Sequence, residues 1–119
     1  MGLRILVVED EMTIALMIED MLTDLGHEVV ELQMRLAPAL AAARASPIDF
    51  AILDVNLDGH MSFPVAEALD ARGIPFAFVT GYGVAGLDPA FRERRVLMKP
   101  FLQADLEGLI AAAAPPGAP

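Results

Sequence analysis

The chain has 119 residues, a net charge of −9 and no cysteine. The length suits one domain, and an apolar content of 55% can fill a core. The acidic balance, with no Lys/Arg cluster, excludes a surface for nucleic-acid phosphates, and the lack of cysteine excludes disulfides, thiolate zinc sites and thiol catalysis. No apolar run approaches the roughly 20 residues of a bilayer span. The N-terminal run stops at Glu9, short for a signal peptide. A soluble, cytoplasmic protein is expected.

The run Leu3–Val8, interrupted only by Arg4, predicts a strand buried on both faces of a sheet. Ile14, Met17, Ile18, Met21, Leu22 and Leu25 then recur at three- and four-residue intervals, which predicts an amphipathic helix stopped by Gly26. Glu28–Leu32 reads as a weaker strand. Pro38 opens an alanine-rich helix to about Ala45, ended by Ser46-Pro47. Phe50–Leu53 is a third strand, and Asp54 follows it. Ser62 caps a predicted helix over Phe63–Arg72, with Gly73 after it. Phe76–Val79 is a fourth strand ending at Thr80. After the turn-rich "TGYGVAGLDP", Asp88-Pro89 starts one or two helical turns. Arg95–Met98 is a fifth strand ending at Lys99-Pro100. A helix over Leu102–Ala113 precedes the tail "PPGAP". The seven methionines are expected to be mostly core fillers, and His27 and His60 to have surface roles.

Five strands alternating with helices imply an α/β fold: a five-stranded parallel sheet, doubly wound in the flavodoxin-like (βα)5 manner. One domain over residues 1–114 and a flexible tail over 115–119 are expected. Ligands of such sheets sit beyond the carboxyl ends of the strands. The residues there are Glu9 and Asp10, Asp54, Thr80 and Lys99. With the first and third strands adjacent, Glu9, Asp10 and Asp54 converge. Carboxylates this close cannot all stay ionised without a cation, and hard oxygen ligands suit Mg2+. Thr80 adds a hydroxyl and Lys99 an ammonium, both suited to phosphoryl oxygens. Together they make a phosphoryl-transfer site with a carboxylate nucleophile. Singly, each has a blander reading: Asp54 as a loop acid, Thr80 as a turn hydroxyl, Lys99 as a solvated charge, Glu11 as a helix-dipole partner without a ligand role.

The set "VEDE", "ILDVNLDG", "TGYG" and "MKPF" resembles the receiver domain of bacterial two-component response regulators, over about Leu3–Ala113. The resemblance implies Asp54 as phosphate acceptor, Asp10 as a direct magnesium ligand, Glu9 acting on the metal mainly through water, and the Asn56 backbone carbonyl as a further ligand. It also implies that Lys99 pairs with the phosphoryl group, that Lys99-Pro100 is cis, and that Thr80 moves to bond the phosphate. Two departures stand out. Val96 occupies the position where receivers usually carry a switch aromatic, and the short stretch from Thr80 to Lys99 implies a shortened fourth helix. With "PFAFVTGYG", these features resemble the "FAT GUY" subgroup, although Val79 stands where that motif has alanine, and they make Tyr82 the substitute switch residue.

The implied protein is a single-domain response regulator, not an enzyme in the usual sense, although it assists its own phosphotransfer and slow dephosphorylation. Its phosphodonor would be a sensor histidine kinase or a histidine phosphotransfer protein. With no attached output domain expected, it would signal through a downstream protein partner or act as a phosphate sink. It is expected to be a monomer, or at most a weak dimer, that touches neither nucleic acid nor membrane. Two alternatives are a small aspartate-nucleophile phosphatase and a receiver-like binding module that needs no phosphorylation. The first lacks the D-x-D pattern, since positions 9 and 11 are both Glu.

Overall fold

The computed structural model describes residues 2–81 and 95–113. The expectations at Tyr82, at Asp88-Pro89, for the shortened fourth helix and for the C-terminal tail fall outside these residues.

The elements in chain order are β1 (Arg4–Val8), α1 (Met12–Asp24), β2 (Glu28–Gln33), α2 (Leu36–Ala45), β3 (Phe50–Asp54), β4 (Asn56–Leu57), β5 (His60–Met61), α3 (Phe63–Ala71), β6 (Phe76–Thr80), β7 (Val96–Met98) and α4 (Gln103–Ala113). Five strands form one parallel sheet in the order β2-β1-β3-β6-β7. The central strands divide their side chains between two faces, as the two-residue period of a strand requires. Leu6, Val8, Ala51, Leu53, Phe76 and Phe78 join one core with Ala39 of α2 and Leu69 of α3. Ile5, Val7, Phe50, Ile52, Ala77 and Val79 join the other with Ile18 of α1 and Leu106 of α4. Burial on both faces is why β1, β3 and β6 read as continuous apolar runs. Each fully buried Leu, Ile or Phe contributes about 1.5–3 kcal/mol relative to exposure.

The glycine stops work through backbone bonding. At the end of α1, Gly26 has φ +90° and donates to Thr23 O at 3.0 Å, while the His27 amide donates to Leu22 O at 2.9 Å. These two bonds satisfy carbonyls that the helix end would otherwise orphan. Gly73 ends α3 in the same way, with the Gly73 amide on Asp70 O and the Ile74 amide on Leu69 O.

Several expectations need correction. Helix α2 begins at Leu36, two residues before Pro38, because a first-turn proline lacks only an N–H that has no intrahelical partner anyway. Ser62 stands at the N-cap of α3, but its side chain makes no cap bond and its buried Oγ has no hydrogen-bond partner among the described residues. Among the described methionines, Met12, Met17, Met61 and Met98 are exposed and none belongs to the fully buried core. His27 is half-buried, not a surface group: its Nδ1 accepts the Leu3 amide at 3.0 Å and ties the α1–β2 turn to the start of β1.

The β4–β5 hairpin lies between the end of β3 and α3. Leu57 pairs with His60 and Asn56 with Met61, so Asp58 and Gly59 form a two-residue connection. Their φ values of +51° and +90° place both in the left-handed region that such hairpin turns need, and Asp-Gly is a strong sequence signal for one.

Candidate functional site

Parallel register aligns the strand ends. Val8 pairs with Leu53, Asp54 with Val79, and Thr80 with Met98. Glu9, Asp54 and Lys99 each stand at the carboxyl edge, where doubly wound sheets bind ligands. The Lys99 amide donates to Thr80 O at 2.9 Å, which extends the β6–β7 pairing to the lysine itself. The next peptide bond, Lys99–Pro100, is cis.

These elements bring Asp10, Asp54, Asn56, Thr80 and Lys99 onto one open cavity of about 660 Å³. Glu9, Asp54 and Thr80 are buried at 1%, 8% and 2% exposure, unusual values for such residues and a reason to seek partners for them. The Lys99 ammonium supplies one: Nζ donates to Glu9 Oε1 at 2.9 Å and lies 3.4 Å from Asp54 Oδ2. The Glu11 amide donates to Glu9 Oε2 at 3.2 Å, so both oxygens of this buried carboxylate are engaged. The Asp58 amide donates to Asp10 Oδ2 at 3.0 Å, and the Gly59 amide to Asn56 Oδ1 at 2.7 Å.

One lysine does not balance three acids. Burial, then the neighbouring Glu9 carboxylate, pushes the Asp54 carboxyl from 3.8 up to about 8, against the opposing pull of Lys99. Burial would raise Asp10 too, but hydrogen bonding shared with the Glu9 and Asp54 carboxyl groups, and the bond from the Asp58 amide, outweigh it and hold Asp10 below the usual carboxylate value. Burial lowers Lys99, but its bond to Glu9 and the Asp54 charge win and hold it above the ordinary lysine value.

One oxygen from each of Glu9, Asp10 and Asp54 lies within 4.8 Å of the others. Three hard oxygen donors beside an open cavity fit a small divalent cation such as Mg2+, which keeps waters and takes a substrate phosphate alongside one or two carboxylates. Five of the residues singled out in the sequence thus converge with Glu9, and Tyr82 lies outside the described residues. Sequence reasoning missed the Asp58 amide on Asp10. The Asp58-Gly59 dipeptide was the available signal for that turn.

No family model and no curated protein matches the sequence. Solved structures do. The chain is similar to SdrG from Sphingomonas melonis Fr1, with 48% identity, a TM-score of 0.84, and coverage of 93% of this chain and 95% of that one. It matches the BeF3-activated conformation of SdrG from Pseudomonas melonis Fr1 at 48% identity and a TM-score of 0.79, covering 92% and 93% of the two chains. The response regulator PhyR from Brucella abortus is 32% identical with a TM-score of 0.83; the match covers 96% of this chain and 48% of that one, about half its length. The PhyR response regulator REC domain from Erythrobacter litoralis shares the fold at a TM-score of 0.83, with 23% identity and coverage of 99% and 97%. With these relatives and a strand-edge site of acids, threonine and lysine, the chain belongs to the receiver-domain family of response regulators.

Proposed function

We propose that the protein works as a response-regulator receiver of the "FAT GUY" type that accepts a phosphoryl group on Asp54 from a phosphohistidine of a kinase or phosphotransfer protein. The observation that carries the reading is the placement of a buried Asp54 between two further acids and the Lys99 ammonium, on an open cavity. An Asp54 carboxylate oxygen attacks phosphorus, the P–N bond to the donor imidazole breaks, and an acyl phosphate forms. The nucleophile has to be ionised, and burial beside Glu9 opposes ionisation. Asp10 and Asp54, with the Asn56 carbonyl, would hold Mg2+, and Glu9 would act on it mainly through water; when bound, the ion would supply positive charge that favours the carboxylate form of Asp54 and offsets the charge of the phosphoryl oxygens.

The chain's own groups do the rest. Lys99, fixed by its amide on Thr80 O, carries an ammonium that shifts from Glu9 towards the phosphoryl oxygens. The Thr80 hydroxyl, at the neighbouring strand end, donates to the same group. Differential contact with the phosphorylated state biases the β6–β7 edge, and a downstream protein reads that bias. Tyr82, two residues beyond Thr80, is the proposed switch residue in place of an aromatic at Val96.

The test is incubation with a phosphorylated histidine kinase or with acetyl phosphate. Base-labile label should appear on the parent in the presence of Mg2+ and be absent from Asp54→Ala and from samples in chelator. Full labelling of Asp54→Ala removes the acceptor assignment, and full labelling in chelator removes the metal.

A further inference from the structure

A metal-ligating carboxylate turns freely about its last bond unless something holds one of its oxygens. Outer hydrogen bonds of that kind orient ligands and tune affinity in metal sites generally. Here the partner of Asp10 is a backbone amide. Asp58 N–H donates to Asp10 Oδ2 at 3.0 Å, across 48 residues of sequence.

The amide reaches Asp10 because of the turn that carries it. Leu57 and His60 close the hairpin, and Asp58 and Gly59 take φ +51° and +90°. Asn56 Oδ1 accepts the Gly59 amide at 2.7 Å and braces the turn from within. Beyond the hairpin, the Ser62 amide donates to Val55 O at 2.9 Å, so both ends of the loop are anchored at the end of β3, beside Asp54.

We infer that the Asp58-Gly59 turn is a positioning element for Asp10, its backbone amide fixing one carboxylate oxygen so that the other is free to serve as a metal ligand. The inference rests on the reading of this site as a Mg2+ site. It assigns the role to the backbone at Asp58 and not to its side chain, which is exposed. Asp58 therefore tolerates replacement by any residue that keeps an N–H and accepts positive φ. Gly59 does not tolerate a β-branched residue, although an added Cβ there meets no atom within 4 Å: the restriction is the backbone angle alone.

Calorimetric titration of the full chain with Mg2+ and amide NMR without metal test this together. Asp58→Gly should bind Mg2+ within about twofold of the parent, since it keeps the donor and the turn. Gly59→Val should bind about tenfold more weakly, the scale of losing a charge-assisted hydrogen bond. In the metal-free parent, the Asp58 amide proton should resonate downfield and exchange slowly, and Asp10→Ala should abolish both features. Equal affinity of parent and folded Gly59→Val overturns the inference and leaves the magnesium reading standing. A tenfold loss in Asp58→Gly also overturns it, because the side chain would then carry the effect. If Gly59→Val does not fold, the NMR measurement decides: an Asp58 amide indifferent to Asp10→Ala refutes the positioning role. A parent that binds no Mg2+ removes the magnesium reading, and the inference with it.

Discussion

Replacing Asp54 with the uncharged isostere asparagine should stabilise the metal-free protein at neutral to alkaline pH. The folded state holds the Asp54 proton up to about pH 8, whereas an unfolded chain releases it near 3.8. A raised carboxyl contributes stability that is fully present below pH 3.8 and is lost as pH rises towards about 8. At 1.36 kcal/mol per pH unit, the span corresponds to roughly 5–6 kcal/mol as a ceiling. Relaxation of Glu9 and Lys99 around an ionised Asp54 recovers much of it, which leaves about 2 kcal/mol, in the range typical of single substitutions. With an unfolding entropy near 2.1 cal/mol/K per residue, 119 residues convert 1 kcal/mol to about 4 °C. Asp54→Asn should therefore melt about 8 °C above the parent at pH 8 in chelator, followed by far-UV circular dichroism. The gap should shrink by more than half at pH 5, and shrink again at pH 8 in excess Mg2+, because a cation held at the proposed site would stabilise the folded parent. Identical melting temperatures at pH 8 in chelator, or a gap that grows on acidification, would refute the electrostatic account of the site.

Four further outcomes are expected. Asp10→Ala should weaken Mg2+ binding more than Glu9→Ala, because Glu9 already has both oxygens engaged by Lys99 and the Glu11 amide; equal calorimetric affinities would remove that ranking. Lys99→Ala should keep measurable phosphoryl labelling yet lose the phosphorylation-dependent change in partner affinity, and a partner-binding assay unchanged by the variant would contradict the coupling role. Ser62→Ala should be neutral or stabilising by up to about 1 kcal/mol, the reverse of a normal N-cap deletion, because the buried Oγ has no partner to lose; destabilisation by a full capping increment in urea titrations would show that the hydroxyl is bonded. The single tyrosine, Tyr82, emits without tryptophan interference, and its fluorescence should change when beryllofluoride and Mg2+ are added to the parent but not to Asp54→Ala; unchanged emission removes it from the switch.

Hydrophobic patterning made the main sheet legible. β1, β3 and β6 are buried on both faces, so their apolar runs identify them and their polar termini mark the site. The acids at the ends of β1 and β3 converge because those strands pair in register, and pairing order follows from a doubly wound topology once that topology is inferred. Elements governed by a few backbone bonds were less visible. The β4–β5 hairpin has two residues per strand, too few for an alternating pattern, and only its Asp-Gly turn announces it. The start of α2 is hard to read because Pro38 looks like a first helical residue but is accepted two positions later in the first turn. Ser62 has the residue type of a cap and the position of one, yet its buried hydroxyl finds no bond among the described residues. The methionines illustrate a different limit. Residue type alone places them inside, while Met12, Met17, Met61 and Met98 stand exposed at 38–51%.

The central claim is that Asp54 is the phosphoryl acceptor. Its most direct test is to phosphorylate the protein in Mg2+, reduce the product with borohydride, which converts an aspartyl phosphate to homoserine, and locate the modified residue by peptide mass spectrometry. Modification at position 54, and its loss when the sample is first treated with base, is the expected result. Modification at another residue, or a labelled protein that borohydride leaves unchanged, would contradict it.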